Sequence, residues 1–283
     1  IGGSVANNAH VPLKNSQARQ TKIATAVRAR VIALGASNLT RLLPILVRVA
    51  SAQSAGAVEV LAVAGYGRSF GASSRFLGRE LPGIKSCGVW QALEGTAPGG
   101  ETRGKSTGIV TDVGNDIFYG VEAATILTWV EHALQRLRPQ VDRLVLTGLP
   151  ASVAGIGRVR FEIMRRILVP SCRLQHGEAL RRAVELHEGL VALAEKHGAV
   201  TFQGDRDWYG WDRIHLKRPY WRLFVERLLG VESRQSQQRP KLPRLLRPGM
   251  RAAAPESKRL FGRVRCTKQP SVCLSDGTTV ALY

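Results

Sequence analysis

Ser37 stands two residues after Gly35, directly behind the apolar run from Val27 to Leu34. A serine at a sharp turn from buried strand to helix exposes its hydroxyl beside unpaired backbone N–H groups, which can hold a developing oxyanion. The Ser37-Asn38 pair would equally serve as a plain helix cap. Gly65-Tyr66-Gly67-Arg68-Ser69 follows a second apolar run. Its glycines let backbone approach a ligand and lend an N–H donor, or they make a simple turn. The GxGxxG spacing and helix context of a dinucleotide site are missing. Gly114-Asn115-Asp116 offers an amide donor suited to an oxyanion hole, or a capping turn. In Asp212-Arg213-Ile214-His215 the acid precedes the histidine by three residues. Such an acid reaches the ring's Nδ1 around one turn and leaves Nε2 free to act as a base toward a serine. The other histidines are less suited. His132, His187 and His197 fall within or at the end of helical patterns, His10 in a polar arm, and His176 in a loop without a suitably placed acid.

These residues need elements to hold them. Val27 to Leu34 reads as a buried strand and Leu39 to Ala50 as a helix, with Leu42, Leu43, Ile45, Leu46 and Val49 at helical spacing. Val58 to Ala64, Ile84 to Leu93, Gly108 to Val113, Arg143 to Leu149 and Ala199 to Gln203 read as further strands. Val121 to Leu137, Val159 to Leu168, Glu178 to His197 and Pro219 to Leu229 read as helices. Strands alternating with helices imply a mostly parallel sheet covered on both faces, with ligands at the strands' carboxyl ends. Residues 1–25 form an arm, 26–232 the main domain, and 233–283 a basic linker followed by a small β-hairpin at Asp276-Gly277. Gly95 to Ser106, rich in Gly, Thr and Pro, is a loop placed to act as a lid.

The chain has 283 residues, 44% hydrophobic and 22% charged, which suits a globular domain with a sizeable core. No apolar run approaches the ~20 residues that cross a bilayer. Ile1 to His10 lack the basic-then-apolar pattern of a secretory signal. The chain starts at Ile, which leaves room for an upstream segment, so the compartment stays open with the cytoplasm only slightly favoured. Four cysteines, Cys87, Cys172, Cys266 and Cys273, match neither a zinc motif nor a disulfide scaffold, and only Cys266 and Cys273 flank a turn that would let them pair. The formal net charge is +20. From Arg234 to Lys268 there are eleven Lys or Arg against the single acid Glu256. A segment of this kind suits contact with an anionic polymer or membrane, or is simply solvated. The terminal hairpin offers a route to oligomers.

The order Ser, Gly, Asn, then Asp-His, each at an element boundary, resembles the SGNH hydrolase family, the GDSL-like esterases and lipases. The resemblance covers about Val31 to Leu229. It implies a three-layer, flavodoxin-like α/β/α sandwich and an esterase that needs neither metal nor organic cofactor. It casts Ser37 as nucleophile, His215 as base and Asp212 as the acid orienting it. The Ser37 and Gly67 N–H groups and the Asn115 amide would form the oxyanion hole. Two positions depart from the family's pattern: Ala36 replaces the acid of Gly-Asp-Ser, and Val113 stands where a glycine usually precedes the Asn. The expected activity is hydrolysis of small-molecule or saccharide esters, with carbohydrate O-acetyl and lipid esters as candidate substrates. The alternatives are an acyltransferase on the same fold and a non-catalytic module working through its basic tail. Arg68, Trp208 and Trp211 are the candidate pocket residues, the first for an anionic substrate and the tryptophans for an acyl or sugar group.

Overall fold

The computed structural model describes residues 29–54, 56–76, 78–95, 104–169, 172–231, 250 and 253–283. The expected arm, most of the lid loop and most of the basic linker lie outside the described residues. In chain order the elements are β1 (Ala29–Leu34), α1 (Ser37–Gln53), β2 (Val58–Val63), β3 (Ser74–Phe76), β4 (Arg79–Leu81), α2 (Val89–Glu94), β5 (Lys105–Val110), α3 (Asn115–Phe118) and α4 (Ala123–Leu137). Then come β6 (Arg143–Thr147), α5 (Arg158–Leu168), α6 (His176–Lys196), β7 (Val200–Phe202), α7 (Trp221–Leu229), β8 (Ser257–Leu260), β9 (Arg263–Cys266), β10 (Val272–Cys273) and β11 (Thr279–Leu282).

The main sheet has the order β10-β11-β2-β1-β5-β6-β7, parallel throughout except for the β10-β11 pair. The five strands β2-β1-β5-β6-β7 run in the doubly wound order of flavodoxin-like sheets. Successive side chains of β1 serve opposite faces: Ile32 and Leu34 join a core with Trp90, Ile126, Leu134 and Leu186 from α2, α4 and α6. Val31 and Ala33 join a second core with Leu42 and Leu46 of α1 and Phe224 and Leu228 of α7. A strand buried on both faces needs a continuous apolar run, and that is what β1, β2 and β6 supply. The fold is a three-layer α/β/α sandwich. Among the described residues no helix is long and apolar enough to cross a membrane.

Three local expectations are corrected. Ile84 to Leu93 is not a strand but a 3-10 turn, Ile84–Ser86, followed by α2. Ile84, Val89, Trp90 and Leu93 are all buried on one side, and the Trp90 indole donates to the Ile84 carbonyl at 2.7 Å, so the run folds as a helical knot. The strand expected at Gly108 to Val113 is β5, which begins and ends three residues earlier; Thr111 to Val113 leave it through Asp112, whose φ is +59°. His176 is not in a loop but opens α6.

A small antiparallel sheet, β3-β4-β8-β9, joins two segments far apart in the chain. β11 lies along β2, pairing Val280 with Val60 and covering the edge that β2 would otherwise present to solvent. All four cysteines are free, including Cys266 and Cys273, which are exposed.

Candidate active site

β1 delivers its carboxyl end to Gly35, whose N–H is held by the Val63 carbonyl at 2.9 Å. A Cβ at Gly35 would lie 2.7 Å from the Thr111 side chain, so only glycine lets β1 turn this tightly beside β5. Ser37 is the first residue of α1 and is buried. Its Oγ lies 2.8 Å from His215 Nε2, and His215 Nδ1 lies 2.5 Å from Asp212 Oδ2. The other Asp212 oxygen accepts the backbone N–H of Ile214 at 3.1 Å and of His215 at 2.9 Å. Arg213, with φ of +62°, makes this turn compact, and its carbonyl accepts the Ser152 hydroxyl at 2.5 Å. Burial opposes ionisation of Asp212, but the bonds from the His215 ring and amide, the imidazole's charge and the Ile214 amide outweigh it. The carboxyl is therefore held below its ordinary range, and an ionised acid facing Nδ1 keeps the proton there and leaves Nε2 to meet the serine.

Two residues fix this row: Asn38, which the sequence offered only as a helix cap, and Asp112, which it did not single out. Asn38 grips the backbone on both sides of His215, donating to the Ile214 carbonyl at 3.1 Å and accepting the Leu216 N–H at 3.0 Å. Asp112 accepts the N–H groups of Ala36 and Leu39, both at 3.0 Å, and the Asn38 amide at 2.9 Å. Neither Ser37 nor Asn38 caps α1; Asp112 does so from the end of β5, which releases the Ser37 hydroxyl to His215 and the Asn38 amide to the histidine loop. The sequence offered Ser37-Asn38 for the capping role. The first-turn N–H groups are satisfied instead from outside the helix, by an Asp in the left-handed region that Asp enters more readily than most residues.

Ser37, Gly67 and Asn115 line one cleft. The Ser37 N–H has no intrahelical acceptor, as expected for a first helical residue. Gly67 has φ of +65°, its carbonyl accepts the Tyr119 hydroxyl, and its N–H meets no acceptor among the described residues. Asn115 donates to the Arg68 carbonyl at 3.4 Å, which orients its amide between the Gly67 loop and α3. Asp116, fully buried, accepts the Ser69 hydroxyl and, at 2.9 Å, the Phe70 N–H. It binds the Gly67 loop to α3, and burial pushes its pKa up to about 6.

The three expected pocket residues lie elsewhere. Arg68 is fully buried beneath the loop, donating to the carbonyls of Pro82, Ala64 and Tyr283 rather than facing a substrate. Trp208 belongs to the core, stacked on Tyr220 with ring centres 5.7 Å apart. Trp211 is 60% exposed, with the Arg160 guanidinium over its ring. The side chains around Ser37 are instead Tyr66, Phe76, Phe118, Tyr119 and Ile214.

No known family's sequence pattern and no curated protein matches this chain. Among solved structures it is similar to the aryl esterase of M. smegmatis, at 13% identity and a TM-score of 0.47, over 72% of this chain and 100% of that one. It is likewise similar to a member of the lipolytic protein G-D-S-L family from Veillonella parvula, at 15% identity and a TM-score of 0.45, over 73% and 99%. A third is TesA, at 12% identity and a TM-score of 0.44, over 71% and 97%. At these values no activity passes from those proteins to this chain.

Proposed function

We propose that the protein is a serine hydrolase of carboxylic esters, of the SGNH type, with Ser37 as nucleophile, His215 as general base and Asp212 as the acid orienting it. The observation that carries the reading is the continuous row from Ser37 Oγ through His215 to Asp212, with links of 2.8 and 2.5 Å. The first lies within the range needed for proton transfer, and the second is a hydrogen bond that fixes the imidazole's tautomer and orientation.

Ser37 Oγ attacks the ester carbonyl as His215 Nε2 takes its proton. The negative oxygen of the tetrahedral adduct is held by the Ser37 and Gly67 N–H groups and the Asn115 amide. By analogy with a measured oxyanion donor each is worth roughly 2.7–4 kcal/mol of barrier. His215 returns the proton to the departing alcohol, leaving an acyl-Ser37. Water, deprotonated by His215, then releases the acid and restores the serine. Support comes from three features: a glycine required at 35, an α1 N-terminus capped from outside, and a histidine loop strapped to that same helix.

A fluorophosphonate should label wild-type protein at Ser37, located by mass spectrometry. Ser37→Ala should abolish labelling and lower p-nitrophenyl acetate turnover by about 10³-fold or more, with an unchanged circular dichroism spectrum. A wild-type protein with neither labelling nor turnover refutes the reading.

A further inference from the structure

Two cavities diverge from Ser37. They share Ser37, Asn115, Phe118 and Ile214. The wider, about 370 Å³, is lined also by Gly67, Tyr66, Phe76 and His215. The narrower, about 70 Å³, continues past the ends of β5 and β6 to α5 and α6, where Leu149, Ile156, Phe161, Ala179, Leu180 and Ala183 bound it. His215 does not line it.

Proton bookkeeping assigns the two. When the tetrahedral adduct collapses, the bond from the carbonyl carbon to the alcohol oxygen breaks, and that oxygen takes the proton held on His215 Nε2. The alcohol must therefore lie on the His215 side, in the wide cleft, and the acyl chain on the other side. Building on the hydrolase reading above, we infer that the narrow cavity beneath α6 is the acyl site and that it restricts the substrate to short-chain acyl esters of bulky alcohols. Toward α5 and α6 its walls are aliphatic and aromatic, which suits a hydrocarbon tail. Its polar residues, among them Thr111, Asp112 and Thr147, lie at the sheet end, where Asp112 and the Thr111–Thr147 pair are already hydrogen-bonded to protein groups. A cavity of ~150 Å³ takes up the six carbons of benzene. At about 70 Å³ this one holds an acyl group of roughly two to four carbons.

The far wall is thin. Leu149, Pro150, Val153, Leu180 and Ala183 also line a separate cavity of about 330 Å³. Leu180 is only partly buried, so its removal would join the two spaces without opening the core. Ala183 is buried and small, so a larger side chain there would shorten the acyl site.

The test is a matrix of acyl chain against alcohol. For p-nitrophenyl esters, wild-type kcat/KM should be highest between acetyl and butyryl and at least ~10-fold lower for octanoyl, since each misplaced methylene is worth about tenfold or more. Exchanging p-nitrophenol for 1-naphthol on the acetyl ester should change kcat/KM less than that. In Leu180→Ala the octanoyl-to-acetyl ratio should rise at least ~10-fold, and in Ala183→Leu the butyryl-to-acetyl ratio should fall by a similar factor. Ratios are read within one variant, so a partial loss of folded protein cancels, and the wild-type series decides alone if a variant does not fold. A wild type that prefers octanoyl, or that tolerates long acyl chains but not naphthol, overturns the assignment while leaving the hydrolase intact. Absence of both turnover and fluorophosphonate labelling instead removes the hydrolase reading, and this assignment with it.

Discussion

Asp212 and Asp116 are carboxyls whose surroundings push their ionisation in opposite directions. For Asp212, hydrogen bonds outweigh burial and the folded value is lowered. Its contribution to stability is present above the ordinary carboxylate value and is lost as pH falls through the lowered one. For Asp116 burial wins over the bonds from Phe70 and Ser69, and the value rises from 3.8 to about 6. Here the folded state binds the proton more tightly than the unfolded chain, so protonation stabilises the fold. Wild-type protein should gain stability relative to Asp116→Asn as pH is lowered from 8 through 6 toward 4, by up to roughly 3 kcal/mol. Urea unfolding of both proteins across that range checks this; a constant difference would show that Asp116 does not titrate in the window. Ser37, Asp212 and His215 were singled out by the order of four blocks that resembles the SGNH pattern, because the serine, glycine and asparagine blocks alone read equally as a cap or a turn. Only the Asp212-to-His215 reach was a matter of local spacing. Asp112 was not, since it lies 76 residues from the Ala36 amide it accepts. Arg68, Trp208 and Trp211 were misplaced because side-chain chemistry does not say which side of a loop faces the ligand. Arg68 went inward to collect carbonyls and Trp208 to stack in the core.

α1 is the element that turns these residues into a site, because its first turn carries Ser37 and Asn38 and receives Asp112. Replacing Asp112 by alanine removes one acceptor from two backbone N–H groups and the Asn38 amide. Loss of a helix cap costs about 1–2 kcal/mol, and unpaired buried donors add to it. The freed Asn38 would also loosen its hold on Ile214 and Leu216. Asp112→Ala should therefore lower both the urea midpoint and kcat on a short-chain ester, with KM less affected, and Asp112→Asn should recover part of each. A variant that loses stability with full kcat would confine Asp112 to capping. Strand and helix identities along the main sheet followed from pattern: runs buried on both faces in β1, β2 and β6, and helical spacing in α1, α4 and α6. The pattern failed where an apolar run was short. Between Ile84 and Leu93, burial alone does not separate a strand from a turn plus a helix, and the Trp90-to-Ile84 bond decides for the latter. β3 and β4 carried too few residues to announce themselves, being paired with β8 from near the other end of the chain.

The molecule as a whole is closed by its last described strand. Val280 is fully buried in β11, opposite Val60 of β2. Val280→Asp puts a carboxylate into that core and should destabilise the fold by at least about 3 kcal/mol, visible as a lowered thermal midpoint. A midpoint within a degree of wild type would mean that β11 is an ornament on the sheet. The alternation in this region was readable, as was the Asp276-Gly277 turn, but the strand it would join was not: adjacency in a sheet depends on topology, which local spacing does not encode. The position of β11 also bears on how the protein is made. β2 leaves the ribosome long before β11 is translated, and until then one rim of the sheet has bare amide and carbonyl groups beside apolar side chains, the kind of surface that recruits other chains. A polypeptide cut short before Thr279 keeps that rim permanently. Premature termination would thus yield material that is sticky, a target for chaperones and proteases, even though all the residues around Ser37 have been synthesised.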